Sequence, residues 1–366
     1  MKKLREIAAE YGTPFLLYDE KGLGISAKSL FSWCAAAPDT SFYLPIRCCM
    51  PPMPFSVLSR CGVGVRCETP AELRDALSLG VPGDRIRYAA RVLPCGVDTL
   101  LRELDATLQI LLPTAVPKIV PRRVELACGA DALRQTARKT DGDGLTLEEL
   151  HIIAPELLRR GAQELGLLFP LDGNAPTTDF MPKALDAMLA AAETLREVCG
   201  DAITQLDLGF SLGRNYHRFA EPFDAGSPLR AVCEKLKAQP HRYTLSLCPD
   251  RQLPEPNGLY VTRVLACCDR EHAIAVVTDA DPAQLDAPRG DRHRHAVVVS
   301  QRRKDLRLCR LVGLSGEKNG RLLERCWMQN PVRGDLIVLR DMGCALRKGS
   351  GVHRLCLHED GSVTAT

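Results

Sequence analysis

Arg47, Cys48 and Cys49 close an apolar run, FYLPIR at 42–47. A thiol attacks only as its thiolate, and a neighbouring guanidinium favours that form. Cys48 or Cys49 beside Arg47 is therefore a candidate nucleophile. Arg47 and Arg251 would also favour an anionic ligand, because a guanidinium presents a planar fork of donors to a carboxylate or phosphate. Asp172 and Asp250 are competing ion-pair partners for the same two arginines. His293 and His295, in GDRHRHAVVV, fall on one face of a strand, but no cysteine or acid is spaced to complete a metal site. They read as alternation on a solvated strand, and Arg302, Arg303 and Lys304 read as a solvated turn. The sixteen cysteines include two adjacent pairs, Cys48–Cys49 and Cys267–Cys268, and no CxxC. That spacing points to small apolar side chains rather than metal ligands, and no metal is expected.

The elements that must position these groups alternate in type over the first two-thirds of the chain. Short apolar runs at 42–47, 63–67, 85–91, 106–112, 122–128, 164–171, 203–208 and 242–248 read as strands, with helical patterns between most of them. At 69–80 the helix opens with Thr69 as cap, Pro70 in the first turn and Glu72 at the third position. Further helices are expected over 146–160 and 182–199. Eight such units predict an α/β fold, a parallel (β/α)8 barrel of the TIM type. The link LPTAVPKIV is too short for a crossover helix, so a dent is expected there. From about residue 255 the runs 260–268, 272–280, 295–301, 306–313 and 335–342 are strand-like without helices. They predict a C-terminal all-β domain, which FLLYDE at 15–20 would join. The expected division is a barrel over 24–255 and a β-rich domain from 1–23 and 256–366.

Composition narrows the class. With 48 basic and 45 acidic residues the net charge is +3, which leaves no electrostatic footprint for nucleic acid. The chain has neither the apolar segment of a signal peptide nor a membrane span, so a soluble cytoplasmic protein is expected, and in that compartment no disulfide framework. Arginines outnumber lysines 36 to 12, which matters because only a lysine supplies a primary amine.

Four stretches carry a resemblance: YGTPFLLYDE (11–20), GVGVRCETPAELRDALSLGVPGDRIRYAAR (62–91), LDLGFSLGRNY (206–216) and SLCPDRQ (246–252). In order and spacing the chain resembles the fold-type-III decarboxylases dependent on pyridoxal phosphate (PLP), the group of diaminopimelate, ornithine and arginine decarboxylases. The resemblance implies an alanine-racemase-type barrel with a β domain, PLP bound in the barrel, and a head-to-tail dimer.

The matching positions depart from what that family needs. Its Schiff-base lysine, in a segment like YAVKAN, falls on Arg47, or on Ile46 if the register is anchored on Tyr43. A guanidinium stays protonated and cannot form the imine. The histidines of its HxHxGS-like segment fall on Leu168 and Pro170. In its phosphate loop, LDLGGGFG, Gly209 and Gly213 remain, while Phe210 and Ser211 replace glycines. Its EPGR becomes CPDR, with Cys248 for the acid, Asp250 for the glycine and Arg251 kept. Ser315, in VGLSGEKNGR, stands near the catalytic cysteine, and Ala345, in MGCALRKG, near the tyrosine of GAYG. Asp207 matches the family's LDLG aspartate and reads as structural.

The expectation is a catalytically degenerate homologue with a binding or regulatory role and no confident catalytic residue. No covalent cofactor is expected. Gly209, Ser211, Gly213 and Arg251 would be a vestigial phosphate site, open to PLP only if the degenerate reading fails. The partner would be a second copy or an active relative, with a small anionic ligand. Two alternatives stay open: an active diaminopimelate/ornithine decarboxylase-like enzyme with altered cofactor binding, and a different chemistry using Cys48 or Cys49.

Overall fold

The computed structural model describes residues 2–51, 53–129, 143–169, 174–175, 180–212, 224–249, 252–270, 273–285, 296–298, 305–315, 321–347 and 349–365. Eight strands form a parallel barrel: Ser41–Pro45, Gly64–Cys67, Ile86–Ala90, Thr107–Ile110, Arg123–Ala127, Glu164–Leu168, Ile203–Leu212 and Thr244–Cys248. Each pairs with its neighbour in chain order, and the eighth pairs with both the seventh and the first, which closes the ring. Parallel neighbours need crossovers. Where helices supply them they carry the capping chemistry of the sequence. Thr69 accepts from the Glu72 N–H at the head of Pro70–Ser78. Thr146 and Glu149 form a reciprocal capping box at the head of Leu147–Arg159.

The expected dent is present. Between the fourth and fifth strands lies only a 3-10 turn, Pro113–Ala115, yet the two strands still pair in register from Thr107↔Arg123 to Ile110↔Leu126. Other boundaries moved. The first strand stops at Pro45, and Ile46–Cys48 winds into a 3-10 turn closed by Cys49 N–H on the Ile46 carbonyl, 2.8 Å. Arg47 therefore sits on a turn and is exposed, while Ile46 is buried. The seventh strand runs four residues beyond 208, because its far end pairs with Asn174–Ala175.

In the β domain, Phe15–Asp19 pairs antiparallel with Gly258–Cys268 and parallel with His353–Leu357. The segment FLLYDE thus joins this sheet, as expected. Three described strands of this domain escaped the sequence reading: Arg321–Gln329, His353–Leu357 and Val363–Ala365. In the first, Glu324 and Arg325 interrupt the alternation that would have revealed it. Among the described residues no helix is long and apolar enough to cross a membrane.

Candidate functional site

The middle of the barrel is polar. Successive strand residues point to opposite faces, and the inward set brings Arg66, Arg87, Gln109, Glu125, Asp207 and Ser246 together. Arg66 and Arg87 both donate to Asp207 Oδ2, at 3.0 and 2.6 Å. Arg87 also reaches Glu125 at 2.8 Å and donates to Ser246 Oγ at 2.7 Å, and its guanidinium lies 3.9 Å from the centre of the Tyr43 ring. Gln109 Nε2 donates to Glu125 at 2.6 Å and to Asp207 at 2.8 Å, tying the two carboxylates together. Two glycines make room for this layer. A Cβ on Gly64 would meet the Tyr43 ring at 2.6 Å, and one on Gly166 would meet Glu125 Cγ at 2.8 Å.

Burial and pairing set the charges. Burial pushes the Glu125 carboxyl up to about 7, against the pull of Arg87. Asp207 is as deeply buried, but Arg87, Arg66 and the Gly209 N–H hold it below the usual carboxylate range. Burial works against the charge of both arginines, and their carboxylate partners outweigh it, so both stay cationic. With Asp207 ionised, the cluster is neutral when Glu125 is ionised and carries one excess positive charge when it is protonated.

Toward the carboxyl ends of the strands, where barrel sites are built, one side is closed by an apolar patch of Ala89, Leu111, Ala127 and Leu168. Cys67 and Cys248 are buried at the ends of the second and eighth strands, and Cys49 just past the first. Burial, and after it the neighbouring thiols, pushes the Cys49 thiol well above its ordinary value. Burial works against Cys49 as a nucleophile by holding it as the thiol, and Cys48 is buried beside it. Among the described residues no group of histidine, cysteine and acidic side chains could hold a metal ion.

The other positions singled out in the sequence fall as follows. Asp207 is the centre of the ionic layer, in line with its structural reading. Gly209 has a φ of +36°, and a Cβ there would meet the Phe169 carbonyl oxygen at 2.3 Å, so glycine is required by packing alone. Ser315 donates to Asp281 at 2.7 Å, in the β domain. Ala345 is buried. Pro170, Asp172, Gly213, Asp250, Arg251, His293, His295, Arg302, Arg303 and Lys304 lie outside the described residues, as do the side chains of Phe210 and Ser211. Sequence reasoning missed Arg66, Arg87, Gln109 and Glu125. The available signal was a charged or amide residue inside otherwise apolar strands, VRC, IRYA, LQI and VELA, which forces burial or an inward polar layer.

The architecture matches solved proteins over nearly its whole length. Diaminopimelate decarboxylase from M. jannaschii, in a co-complex with L-lysine, superposes with a TM-score of 0.80, covering 98% of this chain and 90% of that one at 14% identity. The chain has the fold of the PLP-dependent fold-type-III decarboxylases. The lysine/ornithine decarboxylase of Vibrio vulnificus gives a TM-score of 0.76 at 15% identity, over 97% of this chain and 98% of that one. The arginine decarboxylase of Paramecium bursaria Chlorella virus gives 0.74 at 11%, over 94% of each. Among curated proteins, TabA of Pseudomonas amygdali pv. tabaci is 24% identical over 357 residues, spanning 93% of this chain and 83% of TabA. No protein-family model matches the chain.

Against that fold, the described residues do not fit a PLP tethered from a barrel strand. None of the eight barrel strands carries a lysine. The described lysines, 2, 3, 21, 28, 118, 183, 235 and 237, lie on helices or in a loop outside the barrel wall, and 139, 304, 318 and 348 lie outside the described residues. The residue just past the first strand is Arg47.

Proposed function

We propose that this chain is a catalytically degenerate decarboxylase scaffold that does not tether PLP and works by binding. The observation that carries the reading is the lack of any lysine on the barrel strands, with a permanently protonated guanidinium just past the first of them. The ionic layer supports it. Arg66, Arg87, Glu125 and Asp207 pair with one another across the barrel, so the charges under the mouth are balanced within the layer itself. The role left to such a scaffold is to hold a small anionic ligand and to pair, in the cytoplasm, with a second copy or with an active relative.

The test is direct. Purified protein mixed with PLP should show no internal-aldimine band, and borohydride followed by peptide mapping should yield no pyridoxyl-lysine. Arg47→Lys should gain both signals if Arg47 occupies the Schiff-base position. A pyridoxyl-lysine peptide from the unmodified chain would sink the proposal and favour an active decarboxylase with a displaced coenzyme site.

A further inference from the structure

Two of the sixteen cysteines meet sulfur to sulfur. Cys34 ends the helix Glu20–Trp33, which leads into the first barrel strand, and Cys233 lies in the helix Gly226–Lys237, which leads into the eighth. Those two strands pair where the ring closes. The helices therefore pack side by side, so that a Cβ on Gly226 would stand 3.0 Å from the Trp33 ring. The thiols of Cys34 and Cys233 are hydrogen-bonded to each other, although about two hundred residues of chain lie between them. Both are buried, and both are free thiols, the resting state expected in a reducing compartment.

The contact is unequal. The Cys34 S–H donates to the Cys233 sulfur and, against the cost of burial, holds that thiol below its ordinary value; the Thr40 hydroxyl adds to the effect. The Cys34 thiol moves the other way, pushed up by the same hydrogen bond and by burial. Cys49 differs from Cys233, since burial and the neighbouring thiols all push it up. Thr40 also leads outward. With Ala36, Ala37 and Leu236 it lines a cavity of about 280 Å³ at the start of the first and eighth strands, the end of the barrel away from the mouth. That cavity brings small solutes to the residue that touches both sulfurs.

We propose that Cys34 and Cys233 form an oxidation site for hydrogen peroxide, at which Cys233 is oxidised and Cys34 closes a disulfide that staples the two helices flanking the ring closure. The Cys233 thiolate attacks one peroxide oxygen and the O–O bond breaks. Cys233 becomes a sulfenic acid, and the leaving hydroxide takes up the proton that the thiol gave up, forming water. The Cys34 sulfur then attacks the Cys233 sulfur. The S–S bond forms, the S–O bond breaks, and a second water leaves with the Cys34 proton. Two thiols are oxidised to one disulfide, and one peroxide is reduced to two waters. Bond formation draws the sulfurs from contact to about 2.05 Å, and Cys34 stands at a helix end, where backbone yields more readily than inside Gly226–Lys237. Neither step uses a coenzyme, so the site stands or falls apart from the function proposed above.

The test uses the full chain, reduced, treated with equimolar hydrogen peroxide, alkylated with N-ethylmaleimide and digested with trypsin without reductant. Trypsin releases the peptides 29–47 and 231–235, in which Cys34 and Cys233 are the single cysteines. Mass spectrometry should find these two peptides joined as the principal oxidised product, while the exposed Cys95, Cys267 and Cys268 keep their maleimide adducts. The urea midpoint of the oxidised protein should rise by about 1 M, because the bridge closes a long loop in the unfolded chain. In Cys34→Ser, dimedone should trap a sulfenic acid on Cys233; in Cys233→Ser it should trap none on Cys34. Oxidation of the exposed thiols with 29–47 and 231–235 still separate would overturn the proposal in the unmodified chain, whatever the variants do to folding. A dimedone adduct on Cys34 instead of Cys233 would overturn the assigned roles, and an unchanged midpoint would overturn the staple.

Discussion

Glu125 offers a sharp test of the ionic layer, because its charge state trades against stability in a known direction. Its carboxyl is fully buried and moves from an ordinary 4.5 to about 7 on folding. A folded-state value raised above the unfolded one means that the native protein binds the proton more tightly. Its stabilising contribution is therefore complete below about pH 4.5 and is lost as pH rises through 7. At about 1.4 kcal/mol per pH unit, the loss amounts to about 3 kcal/mol. Asp207 acts in the opposite sense and in a separate window, since its lowered value removes stability only as pH falls below the ordinary carboxylate range. Glu125→Gln mimics the protonated carboxyl and cannot titrate. The unfolding free energy of the variant minus that of the parent should rise by about 3 kcal/mol between pH 4.5 and 8, whatever fixed cost the amide carries. Urea unfolding read by tryptophan fluorescence measures it. Of the two tryptophans, Trp33 ends the helix Glu20–Trp33 that packs on the barrel and Trp327 lies in the β domain. A Trp327→Phe background therefore reports the barrel alone, which matters because two domains need not unfold together. A difference that stays flat with pH, or falls as pH rises, would mean that Glu125 is ionised throughout and held by Arg87, and the reasoning would be wrong.

Two other substitutions probe the same region. Asp207→Asn removes the shared acceptor of Arg66 and Arg87 and should cost about 3–5 kcal/mol, seen as a large drop in the urea midpoint, because both buried guanidiniums lose their common counter-charge. Gly209→Ala forces a methyl against the Phe169 carbonyl and should cost about 1–3 kcal/mol by the same measurement; a midpoint equal to the parent's would show that the end of the seventh strand can yield.

Local physics accounts for what could be read from the residues in order. Apolar runs of strand length alternating with amphipathic stretches imply a parallel barrel, and the caps at Thr69 and Thr146 act within four residues of themselves. The dent after the fourth strand was visible because two prolines and a short spacer leave no length for a helix. The lack of a lysine on the strands is likewise a property of the strands themselves. Which residues meet across the closed ring is a different matter. Arg87 lies 120 residues from Asp207, and their contact depends on closure and register rather than on any periodicity within either strand. The protonation of Glu125 and the inertness of Cys49 follow from burial, which only the assembled core imposes. The cavity lined by Arg47 exists because the first-strand turn, the helix Pro70–Ser78 and the segments 344–347 and 349–354 converge, although roughly three hundred residues of chain separate the first from the last. Strand pairing and side-chain chemistry are short-range consequences of composition; charge state and cavity shape are set by what the fold excludes from water.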